Sequence, residues 1–162
     1  MVIKSEQGIN DVELLDALKK SIEGKNLKKV LLLPPDHTRL YSGAGKICAM
    51  YYNMLKDSCQ VDIMPALGTH EIMSEAECKM FFGDIPYDKF IPHNWKTDVV
   101  KLGEVPAEFV SEVSEGLVNN KIDVEVNKRL VSGEYDLIIS MGQVVPHEVV
   151  GMANYSKNIF VG

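Results

Sequence analysis

Four consecutive aliphatic residues, Val30 to Leu33, are followed directly by two prolines and then by polar residues. A short apolar run without alternation, bounded by turn-forming residues, is typical of a strand that is buried on both faces of a parallel sheet. Two more such runs occur, at Val61–Leu67 and Leu137–Met141, and helical patterns separate the three. Strands that alternate with helices predict right-handed βαβ units, because parallel neighbours are joined by crossovers.

The segments between these runs carry helix signals. Apolar residues recur with helical spacing over residues 11–23, and Gly24 follows where that helix should end. Ser74 and Glu77 have the spacing of a capping box, in which two side chains satisfy backbone N–H groups at a helix start. Further helices are predicted from Ser42 to Leu55, from Pro106 to Val113 and over the start of 148–157, and weaker strands over 88–92 and 124–126. We therefore predict one α/β domain over residues 1–162, with a mainly parallel sheet and flanking helices in a Rossmann-like three-layer arrangement.

The charge and composition exclude several classes of protein. The net charge is −6 and no basic cluster exceeds the pairs Lys19-Lys20 and Lys28-Lys29, so no nucleic-acid partner is expected. No stretch approaches the roughly 20 apolar residues that span a bilayer, and the N-terminal residues lack the apolar segment of a signal peptide. Three cysteines, Cys48, Cys59 and Cys78, fit neither a disulfide framework nor a metal-binding CxxC pair. We expect a cytoplasmic protein with reduced cysteines and no membrane partner.

Polar residues follow each of the three predicted strands: Asp36–Arg39, Gly68–His70 and Gly142–His147. The carboxyl ends of parallel strands meet at one edge of the sheet, where open α/β sheets bind their ligands. Two of these stretches end in a histidine, a side chain that exchanges protons near neutral pH. His70 and His147 could therefore flank one substrate from two sides, which suits a racemisation at a carbon centre.

The stretch after the first strand also suits an anion. The guanidinium of Arg39 offers a planar fork for a carboxylate or phosphate, and Asp36 could orient this arginine or a histidine. Structural interpretations stay open beside these. Asp36 could close an Asx turn behind the prolines, Arg39 could be an ordinary surface cation, and a single histidine after a strand is more often a loop residue. Neither His37 nor His93 shows metal-ligand spacing in the sequence, and both are interpreted as structural.

A glycine-containing stretch, Ser42–Lys46, resembles a phosphate-binding loop only superficially. Its first glycine is displaced, and Ile47 stands where a P-loop requires serine or threonine. We interpret the stretch as a flexible entry into the following helix, whose backbone amides could still bind an anion.

Four motifs occur in a fixed order along the chain: Asp36–Arg39, Gly68–His70, Pro146–His147 and, ten positions after the last histidine, Lys157. In this order they resemble the nickel-dependent lactate racemase family, which shows an Asp-x-Thr-Arg stretch, a Gly-Thr-His stretch, a Pro-His pair and a lysine in a small-residue loop. His93-Asn94 is similar to a further histidine of the family. The resemblance runs from about residue 28 to the last residue, and it points to the N-terminal, cofactor-attaching part of such a protein.

The resemblance implies a cofactor and a mechanism. The family uses a nickel pincer nucleotide, a pyridinium-based cofactor bonded to the protein through a lysine thioamide, and Lys157 matches that position. The two motif histidines, here His70 and His147, serve as alternating acid and base. One takes the hydroxyl proton of a 2-hydroxy acid while the cofactor accepts the α-hydride, which then returns to the other face of the ketone. The hydride chemistry belongs to the cofactor, and the protein supplies orientation and proton transfer.

The resemblance also assigns binding roles. Gly68 and Thr69 join Lys157 at the cofactor, whereas Asp36 and Arg39 help bind the substrate. The nickel-ligating histidine of the family lies downstream of the lysine, so no residue of this chain is assigned to the metal. Family members are longer and carry another domain, so we expect this chain to be the N-terminal part of a two-domain protein whose C-terminal domain is missing here. The isolated chain is expected to lack the nickel cofactor and to show no racemisation of a 2-hydroxy acid.

Two positions depart from the family pattern. The loop before the lysine, roughly Gly-Phe-Ser-Gly-Gly-Ala-Lys in the family, is Gly151–Lys157 here and contains the bulky Tyr155. Glu71 follows the Gly-Thr-His stretch where the family often has arginine, so the substrate could differ from lactate. These departures keep an alternative open, a non-catalytic anion- or nucleotide-binding module of the same fold that has lost covalent cofactor attachment. A hydrolase that uses His70 or His147 as base is disfavoured, because the chain lacks a Gly-x-Ser-x-Gly nucleophile motif.

Overall fold

The computed structural model describes residues 2–161, which fold around a three-stranded parallel sheet. The helices of this part, in chain order, are α1 (Asp11–Ile22), α2 (Ala44–Leu55), α3 (Glu75–Phe82), α4 (Ala107–Val113) and α5 (Lys157–Phe160). Its strands are β1 (Lys29–Leu33), β2 (Gln60–Ile63), β3 (Val99–Val105), β4 (Ile122–Asn127), β5 (Leu137–Ser140), β6 (Pro146–His147) and β7 (Gly151–Met152). Short 3₁₀ segments lie at His37–Ser42, Tyr87–Lys89 and Lys128–Leu130.

The central sheet has the strand order β2-β1-β5, and both pairings are parallel. Val30 lies opposite Val61 on one side and Leu137 on the other, so β1 is the middle strand. Because all three strands run in the same direction, their carboxyl ends lie at one edge. The predicted α/β class with a parallel sheet and flanking helices is confirmed.

Strand β1 is buried on both faces, as its continuous apolar run predicts. Val30 and Leu32 belong to the larger core cluster, to which α2 and α3 contribute and against which α1 packs. Leu31 and Leu33 point the other way and pack with Met64. The second face is further covered by three partly buried residues from irregular segments and a 3₁₀ turn, namely Ile91, Leu130 and Tyr135. All four side chains of Val30–Leu33 are essentially inaccessible to solvent, which is why no polar residue alternates with them.

The predicted capping box at the start of α3 is present. The Ser74 hydroxyl accepts from the backbone N–H of Glu77, and the Glu77 carboxylate accepts from the backbone N–H of Ser74. The first helix begins with an equivalent arrangement of Asn10 and Glu13. Both helices therefore begin where local side-chain chemistry satisfies their first N–H groups.

The glycine-containing stretch before α2 has a packing role. Gly43 is the N-cap residue with a left-handed φ of 74°, while the Ser42 hydroxyl accepts from the N–H of Ala44. A Cβ on Gly45 would lie 2.1 Å from the carbonyl oxygen of Phe81 in α3, so the two helices touch at this point. The absence of a side chain at Gly45 is therefore required for the helix contact.

Three segments differ from the sequence predictions. Strand β3 was not predicted; it pairs antiparallel with β4, and neither face of β3 is fully buried, so its apolar residues do not alternate. The weak strand over 88–92 is reduced to a single bridge between Phe90 and Ile63. The helix over the start of 148–157 is wrong, because β6 and β7 form a short hairpin there and Gly151 has a φ of 79°.

Cys48, Cys59 and Cys78 are free thiols. Within residues 2–161, none of the helices combines the length and the hydropathy needed to span a membrane.

Candidate functional site

A cleft lies at the carboxyl edge of the sheet, where β1, β2 and β5 end. The three segments that follow these strands line it together with the loop that leads into α5. Its volume is about 110 Å³, which is small beside the roughly 300–1,000 Å³ of sites for drug-sized ligands. The polar side chains of its walls include Asp36, Thr38, Arg39, His70, Asn154 and Lys157. The convergence expected from the sequence at one edge of the sheet is thus present.

Asp36 and His70 form a hydrogen-bonded pair in this cleft. Oδ2 of the buried Asp36 lies 2.5 Å from Nδ1 of His70. Oδ1 of Asp36 accepts from the hydroxyl of Thr38 at 2.5 Å and from its backbone N–H at 3.2 Å. An ionised carboxylate only accepts, so Nδ1 of His70 carries the proton, and the neutral ring presents Nε2 as a proton acceptor. Asp36 therefore closes the Asx-type turn expected from its structural interpretation, and it also orients a histidine.

Local turns bring the two residues together. Asp36 directly follows the buried end of β1 and the two prolines, and it caps the 3₁₀ segment His37–Ser42. His70 ends a turn in which its own backbone N–H donates to the carbonyl of Leu67. Gly68 lies inside this turn and has a φ of 59°. Glycine adopts this left-handed conformation without a steric cost, which explains its place before the histidine. The pair thus depends on two turns at the ends of neighbouring parallel strands.

Two cationic side chains, Arg39 and Lys157, face the same cleft. Within residues 2–161 neither the guanidinium of Arg39 nor Nζ of Lys157 forms a hydrogen bond or an ion pair. The Glu148 carboxyl lies within their electrostatic range. A hydrogen bond from its own backbone N–H holds the pKa of Glu148 below its ordinary value, and nearby positive charges, those of Arg39 and Lys157 among them, lower that pKa further. Because the side chain of Glu148 is largely exposed, the two cations remain available to an anionic ligand.

The loop before Lys157 keeps a backbone that glycine would favour. Asn154 and Tyr155 have φ values of 55° and 56°, in the left-handed region. These are the positions of the adjacent glycines in the family loop. The side chain of Tyr155 is 73% exposed and does not line the cleft. The bulky residue that distinguishes this loop therefore does not fill the space beside Lys157.

His147 does not line the cleft, although Val145 does. Its Nδ1 accepts from the backbone N–H of Val149 at 3.1 Å and of Val150 at 3.4 Å, and its side chain is 12% exposed. With Nδ1 as acceptor, the neutral ring carries its proton on Nε2. His70 and His147 are thus held in opposite tautomers, and only His70 reaches the cleft wall in this conformation.

Gly68 and Thr69 lie at a neighbouring depression rather than in the cleft with Lys157. That depression also contacts His93 and Asn127, both buried, and the Nδ2 group of Asn127 donates to Nδ1 of His93 at 2.9 Å. His93 therefore belongs to a buried polar pair, consistent with the structural interpretation. Glu71 is exposed and does not line the cleft.

Sequence reasoning assigned no role to several polar side chains of the cleft: Thr38, Ser42, Gln143, Asn154 and Asn158. Two local signals were available. Thr38 stands two positions after Asp36, the spacing of an Asx-type bond, and Asn154 and Asn158 stand four positions apart around Lys157. Among the described residues, no group of three or more His, Cys, Asp and Glu side chains could hold a metal ion.

Comparison with known proteins places this geometry in context. A family model described as the lactate racemase N-terminal domain matches residues 11–162. A crystal structure of a protein from Thermotoga maritima is similar with a TM-score of 0.75 and 27% identity over 93% of this chain and 37% of that chain. The lactate racemase apoprotein from Thermoanaerobacterium thermosaccharolyticum is similar with a TM-score of 0.62 over 92% of this chain and 36% of that chain; at 23% identity, this likeness shows the fold. No curated protein matches the chain. The chain thus spans little more than a third of the length of the two solved structures.

Proposed function

Because the chain belongs to the lactate racemase N-terminal domain family, we propose that it is the N-terminal domain of a racemase or epimerase of a small 2-hydroxy acid. The enzyme works with a nickel pincer nucleotide that is bonded to Lys157. The observation that carries the proposal is the presence of the Asp36–His70 pair, Arg39 and Lys157 in one cleft. These groups provide a proton acceptor, an anion-binding cation and an amine for covalent attachment.

The chemistry of the cleft residues suits attachment of the implied cofactor. Lys157 presents an amine that no carboxylate among the described residues holds in an ion pair, so attachment breaks no existing contact of its Nζ. The cleft wall beside it is kept open because Tyr155 points into solvent. When bound, the cofactor supplies the hydride acceptor. Lys157 holds the group at the cleft, and Arg39 binds a carboxylate or phosphate there.

The two histidines divide the proton transfers. His70, held by Asp36 with its proton on Nδ1, takes the hydroxyl proton at Nε2. A histidine acts as base in its neutral form and as acid in its imidazolium form, because a neutral imidazole is too weak an acid to donate its remaining proton. His147, whose Nδ1 accepts backbone N–H groups, therefore has to take up a proton from solvent before it donates from Nε2, and the reverse reaction exchanges the roles. For this step we infer that His147 approaches the cleft, which requires a movement of the β6–β7 hairpin that carries it.

The proposal includes a chain longer than these 162 residues. The solved relatives are nearly three times as long as the part that this chain matches, which supports a further, C-terminal domain that closes over the cleft. We therefore propose a two-domain protein with a cytoplasmic location, and no turnover by the isolated chain. Measurable racemisation of a 2-hydroxy acid by the purified 162-residue protein would contradict this part of the proposal.

The deciding experiment is the mass of the protein isolated from its native host after nickel-replete growth. A mass well above 18.1 kDa with a tryptic adduct on the Lys157 peptide supports the proposal. Lys157→Arg, expressed in the same host, retains the charge but cannot form the thioamide and must lack the adduct. The peptide of the exposed Lys25 serves as an unmodified reference. A mass of 18.1 kDa without an adduct would exclude the racemase mechanism for this protein.

The second candidate is a non-catalytic anion- or nucleotide-binding module of the same fold. His147 lies outside the cleft lining, and Asn154 and Tyr155 replace glycines before the lysine; both observations favour it. The same mass experiment separates the two. A longer chain with an unmodified Lys157 under nickel-replete growth points to the module, whereas an adduct points to the enzyme.

A further inference from the structure

Two asparagine side chains tie the loop that carries Lys157 to the end of β5. Nδ2 of Asn158 lies 2.5 Å from Oδ1 of Asn154. Nδ2 of Asn154 donates to the carbonyl of Gly142 at 3.2 Å. Asn158 is buried. Its Nδ2 also lies 3.4 Å from the Ser140 hydroxyl and 3.5 Å from the carbonyl oxygen of Met141, which follows β5; both distances are at the outer limit of hydrogen bonding.

Gly142 allows this contact. A Cβ at position 142 would lie 3.0 Å from both Cγ and Oδ1 of Asn154, and the φ of Gly142 is 154°. The amide of Asn154 therefore packs directly on the backbone after β5. The lysine loop and the central sheet are joined at a point where a larger residue would separate them.

The same asparagine shapes the backbone before the lysine. Asn154 adopts a left-handed φ of 55°, a conformation that asparagine tolerates better than most residues. Its carbonyl accepts the N–H of Lys157 at 3.0 Å. Helix α5 has four residues, too few to be stable by itself. Tertiary contacts such as these amide bonds must therefore fix the place of Lys157.

We propose that Asn154 and Asn158, here called the amide clamp, are positioning residues that hold Lys157 with its Nζ at the cleft wall. The inference rests on the proposed role of Lys157 as the attachment site. A lysine has a flexible four-carbon stem and no planar fork to orient it. Its backbone must therefore be fixed if its amine is to meet one reactive atom. In this chain the amide clamp fixes the backbone at Lys157, within a loop where the family has glycines.

The test uses pyridoxal 5′-phosphate, an aldehyde that carries a pyridine ring and a phosphate, followed by borohydride reduction. Peptide mass spectrometry then gives the labelling of Lys157 relative to the exposed Lys25. We expect Lys157 to be labelled preferentially in the unmodified chain, because Arg39 lies in the same cleft and attracts the phosphate. Asn158→Ala should reduce the preference by about fivefold, the change that loss of one ordinary hydrogen bond brings.

Two variants keep the test interpretable. Asn154→Gly removes both arms of the clamp, while glycine adopts the left-handed φ freely, so the chain should still fold and show the same loss of preference. Tyr155→Gly changes the same loop without touching the clamp, and it should leave the preference unchanged. Labelling is measured well below the melting temperature of each variant, so that a general loss of stability does not alter the ratio.

The outcomes separate the clamp from the proposed function. Equal labelling of Lys157 and Lys25 in the unmodified chain, or an unchanged preference in Asn154→Gly, would overturn the clamp. A labelling preference for Lys157 that depends on the clamp supports the clamp. If the protein from the native host also carries no adduct on Lys157, that second result counts against the racemase but not against the clamp. An adduct in the host together with clamp-independent labelling would leave the racemase standing and remove the clamp.

Discussion

Oδ2 of Asp36 lies 2.5 Å from Nδ1 of His70, although the two residues are 34 positions apart in the chain. The contact exists because β1 and β2 are parallel neighbours, so the segments after them meet at one edge. It fixes which ring nitrogen of His70 carries the proton and leaves Nε2 for the cleft.

Asp36→Asn should change the tautomer of His70. An amide can donate as well as accept, so the preference for a proton on Nδ1 is lost and the two neutral tautomers become mixed. Long-range ¹H–¹⁵N spectra of the imidazole rings report this directly. His93 is the internal control, because its Nδ1 accepts from Asn127 and its ring should be unaffected. An unchanged Nδ1-protonated ring at His70 in the variant would contradict the assignment.

Thr38→Val should lower the free energy of unfolding. The variant keeps the backbone N–H bond to the buried Asp36 but loses the hydroxyl bond, and removing one partner of a buried charged group costs about 1–3 kcal/mol. Urea unfolding measures the difference. Thr38→Ser retains the hydroxyl and should lie within about 0.5 kcal/mol of the unmodified chain, a normal change for a conservative surface substitution. Equal losses in both variants would show that the hydroxyl bond is not the cause.

Gly45→Ala should be destabilising even though alanine is the better helix former. The propensity gain is about 1 kcal/mol. The new Cβ would lie 2.1 Å from the backbone carbonyl oxygen of Phe81, which cannot rotate away. Separating α2 from α3 costs about 1–3 kcal/mol or more, so we expect a net loss in thermal and urea unfolding. Gly103→Ala is the matched control, since nothing lies within 4 Å of a Cβ there; a Gly45→Ala chain as stable as this control would refute the helix contact.

The three thiols should react in a fixed order. Burial raises the pKa of Cys78 to about 11 and raises the pKa of Cys48 further, so both are almost entirely protonated at neutral pH. Cys59 is only partly buried, and burial raises its pKa as well. A disulfide reagent at pH 8 should therefore modify Cys59 first, and Cys48 only after unfolding, because the thiolate is the reactive form. Rapid modification of Cys48 in the folded chain would contradict its burial.

Asp136 should contribute stability that is lost in acid. Its carboxylate accepts from the backbone N–H groups of Lys29 and Lys28, and these bonds lower its pKa from the ordinary 3.8. A carboxyl whose pKa is lower in the folded state stabilises the fold above the unfolded value and ceases to do so as the pH falls through the folded value. The difference in unfolding midpoint between the unmodified chain and Asp136→Asn should be present at neutral pH and shrink below pH 3.8. A difference that persists in strong acid would point to another cause.

Local patterns determined much of this protein from the sequence. The continuous apolar run Val30–Leu33 predicted a strand covered on both faces, and the Ser74–Glu77 spacing predicted the start of α3. From parallel strands alone it also followed that Asp36, His70 and the residues after β5 meet at one edge. These features depend on neighbouring residues or on a general rule of sheet geometry.

Only the tertiary structure decided the rest. It joined β3 to β4, turned the segment around His147 into a hairpin that holds this histidine outside the cleft lining, and placed Gly45 against Phe81. It also set Asn158 on Asn154 beside Lys157. Such contacts depend on long-range packing and on left-handed backbone at residues other than glycine. A sequence pattern with a period of two or 3.6 residues predicts neither of these features.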